Sequence, residues 1–174
     1  PGTDLFECFL VSMALNGNKN IKAEHLAILD IDTEVSFSET IKGSLASTIV
    51  DNSTSGQKIN ATFLDRYFKD KESQIDILRI DAEGSECKAL KGASGIIDAS
   101  PDIRLFIEWQ YPLLRKYETI ESMKECLSNL TNKGFIFLDI LQFNKKCDYT
   151  NYRLYEEDIL MTNPLDFLAI RKNT

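Results

Sequence analysis

The chain has 174 residues, 43% of them apolar, and a formal net charge of −7, enough for one domain with its own core. An acidic chain without a Lys/Arg block argues against nucleic acid or an anionic membrane as its main partner. No apolar run is long enough to span a bilayer and no signal-peptide pattern opens the chain, so the expectation is a cytoplasmic protein with no membrane partner.

Residues 3–15 read as a helix. Thr3 or Asp4 can cap it, Leu5, Phe6, Phe9, Leu10 and Met13 give it an apolar face, and Asn16-Gly17-Asn18 stops it. Residues 21–29 read as a strand with imperfect alternation, and 30–33 as a turn. Val35 and Phe37 alternate with Ser36 and Ser38, which predicts a half-exposed strand with 46–50 as its hairpin partner. Residues 51–56 are a polar loop and 58–62 a short strand. Phe63, Leu64, Tyr67 and Phe68 fit a helical turn, followed by a charged connector at 69–74.

The run 75–80 is rich in Ile, lacks Gly and Pro, and predicts a short buried strand. Ala89, Leu90, Ala93, Ile96 and Ile97 can then share one helical face, ending near Ser100-Pro101. Residues 103–109 read as a second apolar strand, 119–132 as an amphipathic helix closed by Lys133-Gly134, and 135–141, 152–155 and 166–171 as further strands. Strands alternating with helices predict an α/β fold. Its sheet would be mostly parallel, covered on both faces, with an antiparallel edge near the C-terminus, in one domain over 1–174.

The chemistry concentrates where the strand at 75–80 ends. Asp81, Glu83 and Glu86 follow it directly, with Gly84 among them to allow a tight turn. Carboxylates in a first helical turn gain roughly 0.3–1 kcal/mol each from the helix dipole, so a solvated helix start is the plain reading. The functional reading is that ligands of open α/β sheets bind outside the carboxyl ends of the strands. A carboxylate there can bind a metal ion, accept a substrate proton or hold a ligand hydroxyl. Glu108 ends the next strand in the same way, so Asp81 and Glu108 should face one cleft, while Trp109 beside it reads as packing. The single histidine, His25, argues against a His-based metal site or a Ser-His-Asp triad. Cys8, Cys87, Cys126 and Cys147 are far apart without a Cys-x-x-Cys pair and read as isolated reduced thiols. Gly92-Ala93-Ser94-Gly95 follows a helix rather than a strand and is not a phosphate loop.

The run IDILRIDAEGSECKALKGA, residues 75–93, resembles the signature of the FkbM family of S-adenosylmethionine-dependent methyltransferases. Asp76, Leu78, Ile80, Asp81, Glu83, Gly84, Glu86, Leu90, Gly92 and Ala93 stand where that pattern asks, and Arg79 replaces a Lys. Phe6, Asn16, Ala27, Asp30, Ser47, Leu64-Asp65, Ile107-Glu108 and Gly134-Phe135 fit the flanking pattern in order. The resemblance implies a Rossmann-like class I methyltransferase sheet. It also implies methyl transfer from S-adenosylmethionine to a hydroxyl of a sugar or similar small molecule. Asp81 would be nearest the reacting methyl as base or orienter, followed by Glu83 and Glu86, with Glu108 on the acceptor side. A turn at Leu26, Ala27 and Ile28 would lie where adenine packs.

The family's Gly-rich Asp-x-Gly-x-x-x-Gly turn is missing, and Pro1 would be the Pro of the family's Glu-Pro step. The expectation is therefore a sheet lacking its first strands, the C-terminal two-thirds of such a domain. An upstream segment or partner would cover exposed strands, and this chain alone would bind cofactor weakly or not at all. Two rival readings are a truncated or degenerate domain kept as a non-catalytic interaction module, and a metal-dependent hydrolase using Asp81, Glu83 and Glu108.

Overall fold

The computed structural model describes residues 2–39, 47–50, 57–71, 74–140, 154–155, 161 and 165–172. The polar loop expected at 51–56, residues 152–153 and Cys147 lie outside the described residues.

Helix α1 (Thr3–Leu15) forms over the expected span, with Gly17 at φ 65° after its end, but its N-cap is Gly2 with no side-chain cap hydrogen bond, which corrects the expected Thr3 or Asp4 cap. Its apolar face is only partly covered among the described residues: Phe6 stacks on His25 with ring centroids 4.7 Å apart, but none of its residues is buried, and Leu5, Phe9, Leu10, Val11 and Leu15 are exposed.

A four-stranded sheet follows, built from β1 (Ala27–Ile28), β2 (Thr33–Glu39), β3 (Ser47–Val50) and β4 (Gln57–Thr62) in the order β1-β4-β2-β3. The β2–β3 hairpin is the one that the Val/Ser alternation predicts. β4 pairs antiparallel with β2 and parallel with β1. Of the strand expected over 21–29, only Ala27–Ile28 pairs. Ala27, Leu29, Val35, Ile59 and Ala61 form this sheet's small core.

The second sheet holds β5 (Ile77–Ile80), β6 (Arg104–Trp109), β7 (Phe135–Asp139), β8 (Leu154–Tyr155) and β9 (Leu165–Arg171), in the order β5-β6-β9-β7-β8. β5 and β6 are parallel, and β9 lies antiparallel between β6 and β7. β7 therefore runs in the direction of β5 and β6 without touching them. This corrects the expected mostly parallel sheet. The architecture is mixed α/β, and most of the described pairings are antiparallel because β9 separates strands that would otherwise pair in parallel. The main core lies on this sheet, with Ile103, Leu105, Ile107, Trp109, Leu114, Met123, Leu127, Phe135 and Phe167 fully buried.

β5 also departs from expectation. Among the described strands it pairs with β6 alone, so it is an edge strand. Ile80 is buried, but Ile77 is 60% exposed. An apolar run reports a preference for burial; it does not report whether a neighbour covers both sides.

Helices α2 (Leu64–Phe68), α3 (Glu86–Lys91), α4 (Ser94–Ala99), α5 (Tyr111–Tyr117) and α6 (Ile120–Asn132) complete the fold. The single helix expected after β5 is broken at Gly92-Ala93 into α3 and α4. Gly92 sits hard against the end of β1: a Cβ there would come within 2.0 Å of the Leu29 carbonyl oxygen. Asp65 fastens the break. Its N–H donates to the Gly92 carbonyl at 2.9 Å, and its carboxylate accepts the N–H groups of Gly95 and Ile96, each at 2.8 Å. Those bonds satisfy orphan donors at the start of α4. At the other end of α4, Arg171 of β9 donates to the Ile97 and Ser100 carbonyls, each at 2.7 Å. α6 begins at Thr119, whose hydroxyl accepts the Ser122 N–H at 3.0 Å, and it buries Met123, Leu127 and Leu130.

Candidate active site

The parallel register brings Ile80 opposite Ile107, so the residues that follow, Asp81 and Glu108, leave the sheet side by side. Arg79 draws them together. Its guanidinium lies 2.7 Å from Asp81 Oδ2 and 3.8 Å from Glu108 Oε2. Both carboxylates stay reachable, with side chains 33% and 26% exposed. Gln110 donates to Glu108 Oε1 at 2.6 Å and fixes its other oxygen.

Glu83 joins this pair. Burial raises its pKa above the ordinary carboxylate value, and the nearby charges of Asp81 and Glu108 push it the same way. Its backbone has φ 47°, a left-handed conformation uncommon outside glycine. Gly84 follows at φ 99°. Two consecutive positive φ values turn the chain sharply between β5 and α3. Strain of this kind persists only where the surroundings enforce it, and it clusters at functional sites.

Glu86 provides the enforcement. It is fully buried, and both of its oxygens accept the Gly84 N–H, at 3.0 and 3.1 Å. Burial raises its pKa despite the hydrogen bonds from backbone N–H groups, which act to lower it. Glu86 therefore points beneath the turn, and Asp81 and Glu83 remain to face the cleft. Above the turn lies α5: a Cβ on Gly84 would meet the Tyr117 ring at 3.0 Å and the Leu113 carbonyl oxygen at 3.3 Å.

Asp166 of β9 is the register partner of Glu108. Directly opposed residues share a face, and like charges there are destabilising. The row from Asp81 through Glu108 to Asp166 is thus acidic, with Arg79 offsetting the repulsion between its first two members. Asp166 had no signal in the sequence, because only the register of β9 against β6 reveals it. The α5 wall likewise had no periodic pattern to announce it. Trp109, beside Glu108, is buried against Phe167 with ring centroids 6.0 Å apart.

Leu26, Ala27 and Ile28 lie in and beside β1, in the other sheet. Ala27 and Ile28 form strand, with Leu26 just before it, rather than the expected turn; Ala27 is buried, and Leu26 and Ile28 are half-buried. Among the described residues no three His, Cys, Asp or Glu side chains gather into a group that could hold a metal ion. No helix among them is long and apolar enough to cross a membrane.

The acidic turn can attract a cation and accept a proton from a hydroxyl held against it. The family model of the methyltransferase FkbM domain matches residues 4–150. No curated protein and no solved structure matches the chain.

Proposed function

The chain belongs to the FkbM methyltransferase family, and on that premise we propose that it transfers a methyl group from S-adenosylmethionine to a hydroxyl oxygen of a sugar-like small molecule. The observation that carries this reading is the convergence of Asp81, Glu83 and Glu108 at the carboxyl edge of β5 and β6. When bound, S-adenosylmethionine supplies its methyl on a positively charged sulfonium. An acidic edge with one bridging arginine fits a cation of that kind.

Methylation at oxygen requires loss of the hydroxyl proton and a fixed acceptor. Glu83 is the better proton acceptor, because burial and two neighbouring charges raise its proton affinity. Asp81 is tied to Arg79 at 2.7 Å and suits the role of orienting the hydroxyl. This order reverses the one the sequence suggested, and the Arg79 ion pair is the reason. Glu108 and Asp166 line the acceptor side. Glu86 holds the turn rather than the substrate. Leu26 and Ile28 offer half-buried apolar surface to an adenine ring.

The edge of β5, unpaired among the described strands, supports a second element of the proposal. A strand from an upstream segment or a partner pairs there and covers Ile77, because open strand edges recruit strands. Calorimetric titration of S-adenosylhomocysteine and S-adenosylmethionine into this chain and into a form extended upstream tests both parts. The expected result is tighter binding to the extended form, with the cationic methyl donor losing more affinity than its neutral product when Asp81 becomes Asn. Absence of binding to either form would overturn the cofactor assignment and favour a non-catalytic module.

A further inference from the structure

Cys87 and Cys126 are widely separated in sequence, and the fold brings them together. Cys87 lies in α3, one residue after the turn-holding Glu86, and is buried. Cys126 lies on α6, which packs against α3, and is half-exposed. The Cys126 thiol lies near enough to Cys87 to raise its pKa. Both line a cavity of about 480 Å³ between α3, α4 and α6, walled by Lys88, Lys91, Glu118 and Ser122 among others. A cavity of that size admits a small polar oxidant to a buried thiol pair. The cavity is separate from the acidic turn.

We propose that Cys87 and Cys126 form an oxidisable dithiol that a hydroperoxide converts to a disulfide, stapling α3 to α6. Cys126 is the open sulfur and reacts first. Its thiolate attacks one peroxide oxygen, the O–O bond breaks, and Cys126 becomes a sulfenic acid. The Cys87 sulfur then attacks the Cys126 sulfur. An S–S bond forms, the S–O bond breaks, and the hydroxyl leaves as water with the proton from Cys87. Two thiols lose two electrons, and hydrogen peroxide is reduced to two waters. The neighbouring Cys126 thiol, then burial, then the Glu118 and Glu86 charges hold the Cys87 thiol protonated well above the ordinary thiol range, which suits Cys87 to the resolving step rather than the first attack. The bond ties the start of α3, and with it Glu86 and the Gly84 turn, to α6.

The test is hydrogen peroxide treatment of the folded chain, alkylation of remaining thiols, and tryptic mapping without reductant. The peptides 80–88 and 125–133 carry these cysteines. The expected product is these two peptides linked, about 2 Da lighter than their sum, and separated again by dithiothreitol. In Cys87→Ser, oxidation should stop at a Cys126 sulfenic acid that dimedone traps. In Cys126→Ser, Cys87 should stay a thiol. Oxidation of wild-type Cys126 without the linked peptide would overturn the proposal, as would a bridge to Cys8 instead. The wild-type mapping stands even if a variant fails to fold.

Discussion

The Glu86 carboxylate grips the Gly84 N–H with both oxygens, at 3.0 and 3.1 Å, from a position with no solvent exposure. A side chain beneath the turn thereby fixes the backbone that presents Glu83 above it. Glu86→Ala leaves that N–H unpartnered, and should cost about 1–3 kcal/mol in urea unfolding.

The same residue sets a pH dependence. Burial raises the Glu86 pKa, so the folded chain holds this proton more tightly than the unfolded chain does. Its contribution to stability is therefore fullest below the ordinary carboxylate value of 4.5 and falls as pH rises through the raised one. Glu83 acts in the same direction. Urea midpoints should decline over that window, and Glu86→Gln should flatten the decline. An unchanged slope in the variant would remove Glu86 as its cause.

In methyl transfer, Glu83→Gln should lower kcat by roughly 10²–10⁴-fold, the usual contribution of a positioned base. The wild-type rate should rise with pH on a limb lying above the ordinary carboxylate value, because the base must be ionised and its pKa is raised. The limb should vanish in Glu83→Gln and persist in Asp81→Asn. A limb that disappears with Asp81 instead would reassign the base.

Gly92→Ala places a methyl group 2.0 Å from the Leu29 carbonyl oxygen, which backbone must move to relieve. The cost should reach at least about 1–3 kcal/mol, the range for overpacking. A thermal midpoint equal to wild type would mean that β1 can slide away from α3.

Asp65→Ala removes the cap of α4 and should cost about 0.5–2 kcal/mol by chemical denaturation. The acidic turn does not depend on this cap, so any methyl-transfer rate measured on the folded variant should match wild type. A rate that falls with stability fully retained would point to a role for Asp65 at the site.

β5 offers a paired comparison. Ile80→Ala should cost about 2–5 kcal/mol, because Ile80 is in the core. Ile77→Thr in this chain should stay within about 0.5 kcal/mol, because the side chain is largely exposed. In a form extended upstream, Ile77→Thr should become costly if a strand covers the β5 edge.

The sequence revealed elements wherever local signals agreed. α6 has a cap at Thr119, a periodic apolar face in Met123, Leu127 and Leu130, and a stop at Gly134 with φ 85°. The grouping of Asp81 and Glu108 was also legible, since two strand ends in parallel register must emerge together. What stayed hidden depends on pairing between distant segments. Ile77 looked like core because hydrophobicity carries no information about a missing neighbour. The helix after β5 looked continuous, because the close approach of Leu29 to Gly92 is a tertiary contact. Cys87 and Cys126 looked isolated because α3 and α6 meet only in the folded chain. Asp166 was invisible for the same reason.

The position of β9 has a consequence for synthesis of the chain. Among the described strands β6 and β7 join through residues 165–171, so the five-stranded sheet cannot close until that segment has left the ribosome. Until then the nascent chain carries one open edge on β6 and one on β7, while β5 and β8 pair their other edges. Long-range closure of this kind is slow and exposes a chain to aggregation. The sheet should therefore close in one step when β9 arrives, and chaperones that meet the chain before then should find it with β6 and β7 made and β9 still to come.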